Sequence, residues 1–486
     1  MKFTDFLLNT YILSKGSVKG LKVSSISDCS QKVEKDSLFI AIKGRKTDGH
    51  NYLATAIEKG ASVLLVKDSA LVPSFFKGVV LEYTQLNLGS LLNQFYDFPS
   101  EKLFTVGVTG TNGKTSFCYL LEHLFQSCGW PTGVIGTVDQ HFNQKKWSSI
   151  LTTPSSADLF KRLNDFVKLS ARAVAMEVSS IALDQNRVEG VDFKALIFSN
   201  LSQDHLDYHG SIENYWKAKQ KLFLQAEANR NKNLFYLINQ DDIYGYKLKT
   251  LLRKSCWTYG QSVKANFCFK IKEYSKLKTF FELKSPFGVF DFSVNLVGEY
   301  NVYNTVSALA CAMLTGFKAE DCQKALACFQ GVPGRLEKLK TNKNFDVFID
   351  YAHTPQALSV ALKVLKNNFK RLILVCGCGG DRDKKKRPLM AKIALSLSDH
   401  IFWTTDNPRY EDPQKIADSA LEGINKNKKI KLELDREKAI KKAISFAKKG
   451  DCVLIAGKGH EQFQIVKDKR ISFCDKTVAL NFLKSI

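Results

Sequence analysis

The 486-residue sequence is short of several things, and each shortage closes off a class of protein. Proline is scarce, at 10 residues, while 44% of the chain is apolar; that balance excludes disordered and fibrous chains. No uninterrupted apolar run approaches the ~18 residues needed to cross a bilayer, so no membrane insertion is expected. The twelve cysteines form no C-x-x-C pair and are scattered singly apart from "CGCGG" at 376–380. Neither a zinc site nor a disulfide framework follows, and reduced thiols in a cytoplasmic protein are expected. The first residues, "MKFTDFLLNTYILSKG", carry Asp5, Asn9 and Thr10 and lack a small-residue cleavage site, so no signal peptide is expected. Acidic residues are the last shortage: 48 against 71 Lys and Arg give a formal charge of +23. The lysines are spread out, as in "NKNKKIKLELDREKAIKKAISFAKKG", without a stripe interleaved with aromatics. They read as solvated helix faces and sites for polyanionic small molecules, and no nucleic-acid partner is expected.

What is present is alternation. At ~150 residues per domain the length suggests roughly three domains. Apolar runs such as "LFIAI" at 38–42, "SVLLV" at 62–66, "AVAMEV" at 173–178, "ALIFS" at 195–199 and "LFYLI" at 234–238 read as buried strands separated by helical patterns. A further series follows "GVPGRLE": "DVFIDYA", "RLILVCG", "HIFWTT" and "CVLIAG". Such alternation predicts parallel α/β sheets with helices on both faces. The stretch from 262 to 298 alternates residue by residue and turns at Ser285-Pro286, which predicts an antiparallel insert or edge. Boundaries near 100 and 333 give domains 1–100, 101–333 and 334–486.

The stretch "GVTGTNGKTSF" at 107–117 carries the chemistry. An apolar strand delivers the chain into a glycine turn, and a helix follows, so backbone N–H groups and the helix N-terminus converge on one anion. Lys114 can neutralise phosphate charge and the Thr115 hydroxyl can ligate Mg²⁺. The spacing departs from an ordinary Walker loop, which would place its first glycine at Val108.

With that loop, "TTP" at 152–154, "MEVSS" at 176–180, "SNLSQDHLDYHG" at 199–210, "GEYNVYN" at 298–304, "PGRLE" at 333–337, "DYAHTP" at 350–355, "GDRDKKKRPLM" at 380–390, "DNPR" at 406–409 and "GKGHE" at 457–461 resemble, in order, the motifs of the Mur ligases. The resemblance covers essentially the whole chain and is most specific to the MurE type, which adds the third residue of the peptidoglycan stem to UDP-MurNAc-L-Ala-D-Glu. It implies a central P-loop mononucleotide-binding parallel sheet, an N-terminal α/β domain for the UDP-substrate and a C-terminal Rossmann-like α/β domain for the amino acid. The reaction it implies passes ATP's γ-phosphate to a carboxylate, and an amine attacks the acyl phosphate through a tetrahedral intermediate. Two anions must meet, so metal and Lys/Arg charge are required at the transfer point. Two Mg²⁺ ions and a monomer are expected.

Gly110, Thr111, Asn112, Gly113, Lys114 and Thr115 form the expected phosphate loop. Glu177 ends an apolar strand beside it, a suitable place for a hard oxygen ligand to Mg²⁺. The resemblance makes His205 a ligand of the second Mg²⁺ and leaves His209 unassigned. Taken alone, the three lysines of "KAKQK" are a solvated helix face; the resemblance aligns Lys219 with the family's carbamylated lysine, N6-carboxylysine made from CO₂. Asn301, Asn304, Arg335, Asp350 and His353 match positions holding ATP, Arg335 suiting the γ-phosphate.

For the UDP-substrate, the family's "DSR" element aligns with Cys29, Ser30 and Gln31, so only Ser30 is retained. Arg45, Lys46 and Thr47 are further candidates, and Thr152, Thr153, Ser179, Gln185 and Arg187 match contacts to the muramoyl dipeptide. In this family "DNPR", here Asp406, Asn407, Pro408 and Arg409, marks enzymes that take meso-diaminopimelate. Arg409 can bind the distal carboxylate that lysine lacks, and Glu461 can pair with the distal ammonium. Arg382 and Gly457 complete the match. The alternatives are a lysine-adding relative and, from another class, a nucleic-acid-stimulated P-loop ATPase. The second should show an ordinary Walker loop and an apolar strand ending in Asp-Glu, and the sequence has neither.

Overall fold

A computed structural model describes residues 3–44, 47–228, 233–275, 278–424 and 427–486. Two compact units divide the chain: Met1–Lys114 with Phe125–Thr258, and Thr115–Leu124 with Tyr259–Ile486.

The first unit holds two sheets. Ser37–Ile40, Ala61–Val66 and Val79–Glu82 run parallel, with Ile26–Ser27 at one edge and the antiparallel strand Ile12–Lys15 at the other. In the second sheet Phe104–Thr109 is flanked on both sides by parallel strands. Glu177 of Ala173–Glu177 lies opposite Val108, and Phe198 of Ala195–Phe198 opposite Thr109. Three strands therefore end together where the glycine loop begins, at the carboxyl edge that binds ligands in such sheets. Outside them lie Thr132–Ile135 and Phe235–Asn239, parallel, and then the antiparallel pair Gln140–Phe142 and Lys145–Trp147.

In the second unit, Phe267–Tyr274, Thr279–Ser285 and Gly288–Val294 form the antiparallel meander the alternation predicts, with Ser285 paired to Gly288 around the turn. The last sheet runs, in spatial order, Glu337–Lys338, Asp346–Asp350, Cys452–Ala456, Leu372–Cys376, His400–Trp403 and Ile430–Leu432. Only Glu337–Lys338 is antiparallel. Side-chain alternation explains its uninterrupted apolar strands. Leu372, Leu374, Ile401, Trp403 and Leu454 face the helices Pro355–Lys366, Lys386–Leu397 and Pro413–Leu421. Ile373, Val375, Phe402, Val453 and Ile455 face Arg436–Phe446 and Asp475–Ser485. Both faces are covered, so both sets of residues must be apolar. Loops at 351–354, 377–385, 404–412 and 457–462 leave the carboxyl ends of four neighbouring strands.

Candidate functional site

In the first unit the loop is built almost wholly from backbone. A side chain at Gly110, where φ is +151°, would run into Ser199 Oγ and the Asn200 backbone. Gly107, by contrast, lies inside the strand against Phe193 and Leu196, which accounts for its odd spacing. Thr111 N–H donates to Asn200 O at 2.8 Å and Asn112 N–H to Asn200 Oδ1 at 3.0 Å. Ser199 Oγ donates to Asn112 O at 2.8 Å, and Thr111 Oγ1 accepts from Ser202 N–H and meets Tyr215 OH. Ser199, Asn200, Ser202 and Tyr215 thus hold the loop. The first three lie in a motif noticed in the sequence without individual roles.

Lys114 opens the helix Lys114–Ser127 and donates to Gly110 O and Thr111 O, both at 2.9 Å. Lys219 reaches the same Gly110 O at 2.8 Å from the helix Ile212–Ala228, its Nζ 4.6 Å from the Tyr215 ring centre. It is 1% exposed, whereas Lys217 is exposed and Lys221 half-buried. The three lysines of "KAKQK" therefore meet three environments. Burial, and then the charge of Lys114, lower the Lys219 pKa well below that of an ordinary lysine. Burying an ammonium without a matching carboxylate favours the neutral amine.

Glu177 is buried at its strand end, accepting from Thr137 N–H at 2.8 Å and Thr137 Oγ1 at 3.0 Å. His205 takes a left-handed backbone, φ +51°, at the start of Leu206–His209. Loss of water around the ring lowers its pKa; Asp204 opposes, and Lys114 and Lys219 push further down. His209 is buried against Ser180 Oγ at 3.0 Å.

Nearby, Thr153 Oγ1 donates to Glu177 O at 2.8 Å and accepts from Ser179 N–H, while Thr152 Oγ1 meets Thr137 Oγ1 at 3.1 Å. Arg187 donates through Nη1 to Thr153 O and through Nε and Nη2 to Gln185 Oε1. The guanidinium edge suited to a carboxylate thus rests on a neutral amide. Ser30 is buried in the turn Ser30–Lys32, and Thr47 O accepts from Gly44 N–H. Arg45 and Lys46 lie outside the described residues.

In the second unit Arg335 Nη2 approaches Thr115 Oγ1 at 3.4 Å, its guanidinium 4.7 Å from the Tyr351 ring centre. Asp350, matched above to a position holding ATP, accepts at Oδ2 from Leu336 N–H at 2.6 Å and at Oδ1 from Ala352 N–H at 2.7 Å. It ties down the backbone beside Arg335. Burial raises its carboxyl pKa, and Arg335 opposes. A side chain on Gly334 would collide with Gly459 and His460, and one on Gly459 would meet Tyr351 and Gly334 O, so the two loop backbones touch. Asn301 and Asn304 are buried on Glu299–Leu314, Asn301 Nδ2 donating to Val297 O. His353 is exposed, with Nδ1 2.8 Å from Tyr351 O.

The loops at 404–412 and 457–462 form one polar cluster. Arg409, at φ +52°, donates from Nη1 to Gly380 O at 2.7 Å. Burial and the charge of Arg382 lower its pKa, Asp406 and Glu461 opposing. Arg382 itself is exposed. Asp406 Oδ1 accepts from Asn407 N–H, while its buried Oδ2 has no hydrogen-bond partner among the described residues and faces Gly457. Asn407 Nδ2 donates to Glu461 Oε2 at 2.9 Å. Pro408 packs its carbonyl against Gly380. The hairpin Phe463–Val466 with Lys469–Ser472, not anticipated from the sequence, braces this loop. Arg409 N–H donates to Ile465 O and Gln464 Nε2 to Asp406 O.

Three descriptions of one family match successive stretches: "Mur ligase family, catalytic domain" over 22–87, "Mur ligase middle domain" over 108–312 and "Mur ligase, glutamate ligase domain" over 334–459. The UDP-N-acetylmuramoyl-L-alanyl-D-glutamate–2,6-diaminopimelate ligase of Aquifex aeolicus is 41% identical over 465 residues, covering 95% of this chain and 94% of that protein. The chain is a member of the Mur ligase family. The like-named ligase of Clostridium perfringens is 36% identical, with 98% of this chain and 97% of that protein covered. A solved structure of such a ligase superimposes with a TM-score of 0.68 at 30% identity, covering 100% of this chain and 99% of the other. An Acinetobacter baumannii MurF structure, 19% identical, shares the fold at a TM-score of 0.68, with 99% and 97% covered. This Mur ligase accordingly has the three-domain architecture with a central nucleotide-binding sheet. Among the described residues no three His, Cys, Asp or Glu side chains gather as a metal site, and no helix is long and apolar enough to cross a membrane.

Proposed function

We propose that this Mur ligase joins meso-2,6-diaminopimelate to UDP-MurNAc-L-Ala-D-Glu at the expense of ATP, in the cytoplasm, as a monomer. Relatives of that name along nearly the whole chain support the ligase reaction. The observation that carries the choice of amino acid is the cluster of Arg409 with Asp406, Asn407 and Glu461. A guanidinium beside carboxylates suits a distal carbon bearing both a carboxylate and an ammonium.

In this reading residues 1–100 take the UDP end, through Ser30, Arg45, Lys46 and Thr47. Residues 101–333 take ATP, and residues 334–486 the amino acid. Lys114, the loop N–H groups and Arg335 bear on the γ-phosphate as it passes to the substrate carboxylate. Thr152, Thr153, Ser179, Gln185 and Arg187 hold the dipeptide, and Asn301, Asn304, Asp350 and His353 border the nucleotide. Arg382, Asp406, Asn407, Pro408, Arg409, Gly457 and Glu461 receive the amino acid, whose amine displaces phosphate to leave the amide. Thr115, Glu177, His205 and a carbamylated Lys219 would hold two Mg²⁺ ions, which supply positive charge between the two anions. The donor set fits: Glu177 offers a buried carboxylate, and Lys219 a buried amine whose pKa burial pushes well below that of an ordinary lysine. That amine's lone pair forms the C–N bond to CO₂, one C–O π bond opens, and a proton leaves to solvent, turning a base into an oxygen ligand.

The test is phosphate release from ATP and Mg²⁺ with UDP-MurNAc-L-Ala-D-Glu, with meso-diaminopimelate and L-lysine in parallel and the products weighed. A tripeptide formed only with diaminopimelate is expected. Product with lysine alone overturns the amino-acid choice, and no product with either overturns the ligase.

A further inference from the structure

Lys458 lies in "GKGHE" but has no place among the expected ligand contacts, and its environment is unusual for a lysine. It is fully buried, 0% exposed. Its Nζ donates to Glu461 Oε2 at 2.5 Å and to Asn407 Oδ1 at 3.0 Å. Asn407 Oδ1 also accepts from Ile465 N–H at 2.9 Å, and Asn407 Nδ2 donates to the same Glu461 Oε2 at 2.9 Å. A side-chain amide can be turned either way round, and only its hydrogen bonds choose. Two donors on Oδ1 and an acceptor at Nδ2 leave Asn407 one orientation. Glu461 has one oxygen, Oε2, taken by two donors.

We propose that Lys458 is a positioning residue for amino-acid recognition. It fixes the Asn407 amide, occupies Glu461 Oε2 and so reserves Glu461 Oε1 for the ammonium of the incoming diamino acid. An internal ammonium fills the half of the carboxylate that a ligand would otherwise reach, and the ligand is confined to one approach. Losing Lys458 removes one of the two donors on Asn407 Oδ1, uncovers Glu461 Oε2 and leaves a half-buried carboxylate without this counter-charge. This inference rests on the reading that the cluster binds the distal end of diaminopimelate.

The test uses the full chain and Lys458→Met, similar in length and unable to donate. The distal end of the amino acid is remote from the reacting amine. KM for meso-diaminopimelate should therefore rise about 10- to 100-fold, the size of one lost charge-assisted hydrogen bond. The maximal rate and KM for ATP should stay within about threefold. A general loosening of the domain would raise KM for ATP as well, since Arg335 and Asp350 sit in the same unit. In Lys458→Met with Glu461→Gln, KM for diaminopimelate should match the worse single variant, because Lys458 acts through the Glu461 carboxylate. Unchanged KM for diaminopimelate, an equal rise for ATP, or additive effects in the double variant overturns the proposal. If the Met variant does not fold, Lys458→Gln is judged by the same criteria. Unsubstituted enzyme that makes no product with diaminopimelate overturns the underlying reading together with this one. Product with wild-type kinetics from the variant overturns the role of Lys458 alone.

Discussion

Lys219 and Lys458 are equally buried, at 1% and 0% exposure, and meet opposite surroundings. Lys458 has a carboxylate at 2.5 Å and serves as half of an ion pair. Lys219 points at a carbonyl oxygen that Lys114 also uses, and its pKa is driven down. Burial alone therefore does not tell what a lysine does. An ammonium paired with a carboxylate organises its neighbours, while one buried against a carbonyl and beside a second lysine has its pKa pushed down. The buried Arg436 is a third case. It donates from Nε and Nη2 to Asp475 at 2.7 Å and from Nη2 to Ala456 O at 2.9 Å. A guanidinium cannot take the escape open to Lys219, because it does not deprotonate in proteins.

The contrast can be broken most severely at Lys219. Lys219→Met should cut turnover by at least ~10³-fold, the upper range for loss of one preorganised charge-stabilising group. Its melting temperature should hold or rise, since an apolar side chain replaces a buried amine. Small carboxylates should restore part of the phosphate release. A clear fall in melting temperature would place Lys219 with the paired cations instead. Asp475→Ala comes next: it strands Arg436 and should cost about 3–5 kcal/mol in denaturant unfolding. A loss below ~1 kcal/mol would mean that water reaches the guanidinium. The smallest effect belongs to Lys217→Ala. This residue lies on the exposed side of the Lys219 helix, so stability should stay within ~0.5 kcal/mol and phosphate release should not change.

Features with a local cause were legible in the sequence. The alternating series of strands, the turn at Ser285-Pro286 and the strand–loop–helix around Lys114 each follow from neighbouring residues. Partnerships between distant residues were not. Nothing near Arg436 announces Asp475, and "KAKQK" does not say which lysine turns inward. The hairpin Phe463–Ser472 escaped because its charged turn, "KDKR", resembles loose surface. Its cue was a short alternation around Lys467, which adopts φ +51°. The strands Gln140–Phe142 and Lys145–Trp147 were hidden for a similar reason, with Asn143 at φ +53° making the turn. Asp350 was matched to an ATP-holding position through the family resemblance alone. The backbone N–H groups of Leu336 and Ala352, which it serves here, carry no sequence signal.

The meeting of Gly334 and Gly459 has an evolutionary consequence. Each lies at positive φ, +67° and +54°; a first side-chain carbon at Gly334 would run into Gly459 and His460, and one at Gly459 into Tyr351 and Gly334 O. Replacing one cannot be accommodated by changing the other, since that too would add atoms where backbone already stands. Neutral drift has no single step and no paired step through this contact. The turn carrying Arg335 and the loop carrying Lys458 and Glu461 are therefore expected to be inherited as one block, even where the residues around them diverge.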